Sequence, residues 1–135
     1  MRRFCLALAL LSAAPAAAQD LTFFRSPSGN IHCMIATGDW ATVRCDIMEL
    51  QPTYRSPPAG CDLDWGHSFE VGLTDRQGQL ACVGDTVAMP DSAVLGYGRS
   101  VTLAGFTCVS EKTGMTCMNP AGHGFSIAKA KQKLF

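Results

Sequence analysis

The stretch "SPSGNIHCMIATGDWATVRCDI", residues 26–47, places two cysteines in a run that alternates apolar and polar side chains around a Gly-Asp pair. Folding it back about Asp39 sets Ile31 opposite Ile47, Cys33 opposite Cys45 and Ile35 opposite Val43. Successive side chains of a strand point to opposite faces, so these six share one face. Opposed Cα atoms of an antiparallel pair stand ~4.5–5.5 Å apart, within reach of a disulfide. The spacing predicts a β-hairpin stapled by Cys33–Cys45 on its core side. His32, out of phase with these residues, is expected on the solvent side.

The same construction applies to "FTCVSEKTGMTCMN", residues 106–119. A turn at Glu111-Lys112-Thr113-Gly114 sets Cys108 opposite Cys117, with Gly114 expected in the left-handed conformation that closes such a loop. Cys61 and Cys82 are then left to pair with each other. Between them Phe69, Val71 and Leu73 alternate towards "TDRQG", and Leu80 and Cys82 alternate away from it, which predicts a third hairpin. Six cysteines admit fifteen connectivities; the registers select the sequential one. No C-x-x-C occurs, so the usual zinc-knuckle and thioredoxin-type spacings are missing.

Six cysteines remain of seven because Cys5 falls in the leader. Arg2-Arg3, the uncharged "FCLALALLSAAP" and the small-residue exit Ala16-Ala17-Ala18 form a secretory signal peptide, cut between Ala18 and Gln19. The apolar run is shorter than the ~20 residues of a membrane helix, and Cys5 stands at its start, the wrong end for a lipid anchor. Residues 19–135 then form a single domain with no transmembrane segment. An even cysteine count in an exported chain implies a disulfide framework. Eleven basic residues become nine without Arg2 and Arg3, against eleven acidic, a net charge of about −2. That excludes a basic footprint for nucleic acid or an anionic membrane.

The remaining chain reads as β. "SVTLAGFTCV" shifts phase at Ala104-Gly105, which predicts a bulge. "LGYGRS" is turn chemistry. "FSIAKAKQKLF" reads as a final strand or a short helix, with Lys129, Lys131 and Lys133 alternating as on a charged edge. The expected fold class is all-β, a small disulfide-stapled antiparallel sandwich or barrel of about six to eight strands.

Chemistry-bearing residues are few. His67 lies near Asp62, Asp64 and Glu70 in "CDLDWGHSFE", a candidate hydrolytic or metal cluster. Alternation instead puts Asp62 and Asp64 on a polar face, with Cys61, Leu63 and Trp65 facing inward. His123 in "GHGF" is the other site candidate; its glycines serve either access to a ligand or the turn itself. "DWG" and "GDT" are turns with capping acids. Nucleophile-elbow, H-E-x-x-H and phosphate-loop motifs are missing. No catalytic, cofactor-binding or metal-ligating residue is assigned, and no cofactor is expected.

"FRSPSGNIHC", "VRCDI", "DWG", "LACVGDTV", "YGRS", "GMTCMNPAGHGF" and the final "LF" follow one another in order. Together they resemble a family of exported bacterial proteins known only as a domain of unknown function. The likeness spans residues 23–135, departing at "IAKAKQK", where the family pattern is richer in Arg and Tyr. It implies an exported six-cysteine β domain and no reaction.

The function expected is that of an exported, periplasmic or extracellular, non-enzymatic binding or envelope-associated module, whose partner is an envelope or secreted protein. A narrower form is an inhibitor of a secreted lytic enzyme. The competing class is a hydrolase using His67 or His123 with nearby carboxylates, which requires those groups to converge in one pocket. Intact-mass measurement of exported protein is expected to show a chain starting at Gln19. Retention of Cys5, or an added lipid, contradicts the leader assignment.

Overall fold

The computed structural model describes residues 13–15 and 19–135. The signal helix expected over 1–18, with Cys5 and the Ala18 cleavage point, lies outside the described residues apart from 13–15, which carry no regular structure. The rest is all-β, in two sheets. The first sheet contains β1 (Leu21–Arg25), β2 (Ile31–Ala36), β3 (Thr42–Ile47), β4 (Ser68–Gly72), β5 (Gln79–Leu80) and β6 (Ala93–Val94). Its spatial order is β5-β4-β3-β2-β1-β6: an antiparallel meander closed by β6, which runs parallel to β1. The second contains β7 (Ser100–Leu103), β8 (Phe106–Glu111), β9 (Gly114–Met118), β10 (Gly124–Ile127) and β11 (Gln132–Leu134), antiparallel in chain order. The eleven strands exceed the expected six to eight because several are only two to four residues long.

The two sheets form a sandwich, not a barrel. Their facing sides share one core that joins Phe24, Ile35, Val43, Phe69 and Val71 of the first sheet to Phe106, Met115, Phe125 and Ile127 of the second. The β2–β3 register is the one read from residues 26–47, with Ile31 opposite Ile47, Cys33 opposite Cys45 and Ile35 opposite Val43. Disulfides join Cys33 to Cys45, Cys61 to Cys82 and Cys108 to Cys117. Sγ of Cys45 lies 3.6 Å from Sγ of Cys117, so the two hairpin staples touch across the interface between sheets.

Several local expectations are corrected. Ala104-Gly105 is a two-residue turn, with Leu103 opposite Phe106, not a bulge. Both residues have positive φ, 51° and 88°, the combination that suits the twist of a tight hairpin. The phase shift in the sequence comes from the chain reversing. Gly114 does not have a positive φ. The β8–β9 turn is Lys112-Thr113, and Gly114 is already paired with Glu111. Its glycine is required because an added Cβ would collide with the Ile127 carbonyl oxygen. The tail is neither one strand nor a helix; β10 and β11 form a hairpin around Ala128–Lys131, and of the three lysines only Lys133 lies on the edge strand.

His32 is buried, not solvent-facing. After β5 the chain crosses the outer face of the first sheet to reach β6 at the far edge. Val87, in this strap, is 4 % exposed. Residues that alternation turns away from the core, His32, Arg44 and Asp46, are therefore covered from outside. Leu63 was expected inward but is 58 % exposed, since Cys61–Trp65 is a loop making a single bridge, Asp64 to Val83.

In the β9–β10 turn Gly122 has φ +85°, whereas Gly124 lies in β10, where an added Cβ would strike the Cys117 carbonyl oxygen. Gly124→Ala is expected to cost about 1–3 kcal/mol through overpacking, and Gly122→Ala about 1–2 kcal/mol through its backbone angle. His123→Ala should stay within about 0.5 kcal/mol, because the residue is half-exposed and only its backbone is hydrogen-bonded among the described residues. Thermal melts of the three variants with disulfides intact check this ranking.

Candidate functional site

Three adjoining clefts occupy the end of the sandwich where β2 begins and β3 ends. The first, 470 Å³, lies between the Ser26–Asn30 turn, Met48-Glu49 and the Lys112-Thr113 hairpin tip. The second, 360 Å³, is bordered by Met48, Asp64, Trp65, His67 and Asp85. The third, 320 Å³, lies between Leu50–Arg55 and Trp65–His67. Met48 is shared by the first two, and Trp65 and His67 by the last two.

Short polar residues build the walls. The Ser26 hydroxyl accepts the Ile31 amide at 3.1 Å, and Gly29, with φ +73°, lets the chain return within four residues. The Asn30 side chain holds both backbone groups of Glu49: Nδ2 donates to the Glu49 carbonyl at 3.0 Å, and the Glu49 amide donates to Oδ1 at 2.8 Å. His67 is exposed, and its Nδ1 donates to the Ile47 carbonyl at 2.8 Å. This fixes the ring and leaves Nε2 as the acceptor in the neutral tautomer. Gly66, φ +97°, makes the turn that presents His67 beside Trp65.

Beneath the second cleft lies a buried ion pair. Arg44 Nε and one terminal nitrogen donate to the two carboxylate oxygens of Asp46 at 2.9 and 3.0 Å. Asp46 also accepts the Thr86 hydroxyl and the Val87 amide, both at 3.0 Å. Arg44 reaches the Asp85 carboxylate and the Asp85 carbonyl at 2.9 Å each. Burial alone lowers the Arg44 pKa; its hydrogen bonds to Asp46 and Asp85 outweigh that and hold the guanidinium above its ordinary value. The network fastens the strap to β3. Asp46 is thus a structural acid with both oxygens occupied, not a free base next to His67.

Of the residues singled out in the sequence, His67 and Asp64 share the second cleft. Asp62 is exposed in the preceding loop, and Glu70 lies further along β4, bonded to Gln79 Nε2 at 3.0 Å. His123 sits at the other end of the molecule. Its amide and that of Ala121 donate to Asn119 Oδ1, while Asn119 Nδ2 holds the carbonyls of Gly72 and Asp75. His67 precedes β4 and Gly72 ends it, so the two turns are roughly 16 Å apart at ~3.3 Å per residue. The two histidines therefore do not converge. Among the described residues, the one group of three His, Cys, Asp or Glu ligand atoms close enough for a metal is Cys33, Cys45 and Cys117, all in disulfides.

Sequence reasoning did not find the Arg44–Asp46 pair, although an Arg and an Asp two apart on one strand face are side by side. It also missed the clefts around Met48 and Trp65, because they arise between loops distant in sequence. No helix among the described residues is long and apolar enough to cross a membrane.

Fold and site together define a small, disulfide-stapled β-sandwich with clustered loop clefts at one end. Residues 4–135 match a family described as a family of unknown function, DUF6636, and the chain belongs to that family. Among curated proteins and among solved structures, nothing matches it.

Asp46→Ala is expected to destabilise by about 3–5 kcal/mol, since it leaves the Arg44 guanidinium buried with its main partner gone. Asp85→Ala should cost less than about 1 kcal/mol, because the Asp85 side chain is 80 % exposed. Chemical denaturation of the two variants measures the contrast.

Proposed function

We propose that the protein is an exported binding module, and that its ligand seats across the adjoining clefts around Met48, Trp65 and His67. One observation carries this: the buried acid beneath these clefts is spent on the scaffold, and the histidine above it is not oriented by a carboxylate. Asp46 accepts from Arg44, Thr86 and Val87, and His67 Nδ1 is held by a backbone carbonyl instead of a carboxylate. What remains open to a ligand is shape, aromatic surface and scattered hydrogen-bonding groups, which suit recognition. Loops held on a stapled sandwich give a binding surface with little ordering cost. Three disulfides and the basic-apolar leader support an oxidising compartment outside the cytoplasm. An envelope or secreted protein is the proposed partner, and inhibition of a lytic enzyme is one form such binding would take.

The test is affinity capture from the envelope and secreted fractions of the source organism, with wild type beside Trp65→Ala and Met48→Ala. The expected result is a component retained by wild type and lost from both folded variants. A folded His67→Ala protein that loses a hydrolytic activity present in wild type would instead establish the enzyme reading.

A further inference from the structure

The opposite end of the first sheet carries Trp40, which is 82 % exposed at the tip of the β2–β3 hairpin. Leu73, 40 % exposed, follows β4 on the neighbouring strand, and its amide donates to the Ala41 carbonyl at 3.2 Å. Between them opens a groove of 570 Å³, separate from the three clefts described above. Its charged lining is acidic throughout: Asp39, Glu70 and Asp75, with no Lys, Arg or His among the described residues that border it.

The charged hydrogen-bonding groups of this groove are all acceptors. Asp75 Oδ2 accepts the Gly72 amide at 2.7 Å, which leaves Oδ1 for a ligand. Gln79 Nε2 donates to Glu70 Oε1 at 3.0 Å, which leaves Glu70 Oε2 and Gln79 Oε1. Thr42 spends its hydroxyl on the Val71 carbonyl at 3.1 Å. Trp40 Nε1, the Thr74 hydroxyl and the second Gln79 amide hydrogen are donors beside them, but none of these carries charge. Three carboxylates without a cation favour a guanidinium or ammonium, which brings both donors and positive charge, over a neutral sugar, which brings no charge. Trp is the best ring face for such a cation. A divalent ion fits poorly, because these carboxylates do not form a three-ligand group.

The walls are also held in place. Asn119, 2 % exposed, donates to the carbonyls of Gly72 and Asp75 at 3.1 and 2.8 Å and so anchors the acidic loop to the second sheet. The far side of that loop is fixed where the Gly78 amide donates to the Phe135 carbonyl at 3.0 Å.

We propose that the Trp40 groove is a second binding site, a docking surface for a cationic segment of a partner protein. An Arg or Lys side chain lies over the Trp40 ring with its N–H groups directed to Asp39, Glu70 and Asp75, and an adjoining apolar side chain packs on Leu73. An exposed Trp beside fixed carboxylates supplies both the large contact area and the charge complementarity of an interface anchor.

The test uses a nine-residue amidated peptide of Arg, Leu and Gly, its Glu-for-Arg counterpart and chitotetraose, each titrated calorimetrically against the full domain. The Arg peptide is expected to bind, and more weakly as salt rises. Trp40→Ala and the double variant Asp39→Asn/Glu70→Gln should each weaken it about ten-fold. Tyr97→Ser, in the first cleft at the other end of the molecule, should leave this peptide's affinity unchanged. Circular dichroism melts establish that the variants are folded; none alters a buried residue. The assignment is overturned if the Arg peptide does not bind, if Trp40→Ala leaves its affinity intact, if the Glu peptide binds equally, or if chitotetraose binds in its place.

Discussion

The contact between two disulfides organises this molecule. Cys33–Cys45 closes one hairpin and Cys108–Cys117 another, and their sulfurs meet at 3.6 Å where the sheets face each other. A hairpin has two faces and a one-residue slip exchanges them. Each bridge forbids that slip in its own sheet, so the Ile and Val residues in register with Cys33–Cys45 must face the Phe, Met and Ile residues in register with Cys108–Cys117. The core between is small, and cross-links offset the limited burial available to a domain of this size.

A second constraint acts from outside. The chain from β5 to β6 has to cross the sheet, and the polar pair it crosses, Arg44 and Asp46, becomes its fastening. Buried ion pairs often contribute little net stability compared with apolar packing. This one specifies a position. Asp46 accepts from the strap at Thr86 and Val87, which places the loop that walls the second cleft. The same logic operates at the other end, where buried Asn119 ties the β9–β10 turn to the loop after β4. At both ends buried polar side chains serve as joints, and aromatic residues at the surface, Trp65 and Trp40, are left for contact.

What could be read beforehand was local. The register of residues 26–47 and the pairing of Cys108 with Cys117 follow from alternation around a turn, and both appear in the structure. Alternation says which side a residue faces but not whether that side is covered. His32 shows the difference: it lies on the outer face of its strand and is buried there all the same. Ala104 misled because alanine seldom adopts a positive φ, so a two-residue turn was taken for a bulge. Gly114 was recognised as required, but the reason is a neighbouring backbone and not its own angles. The clefts were invisible because they form between loops, the first cleft between loops of both sheets, and alternation within a strand says nothing of how loops meet.

The way the first sheet ends has a consequence for behaviour at high concentration. Its two borders are β5 and β6, each only two residues long. A border that short offers too few free amides and carbonyls to recruit a strand from another molecule. The second sheet is bounded by β11, with Lys133 on it, and by β7, four residues of Ser, Val, Thr and Leu without a charge. Among the described strands β7 is thus the longest uncharged entry for strand addition, since β6 leaves only Leu21–Phe23 of β1 uncovered, and a single lysine placed at Thr102 would blunt it.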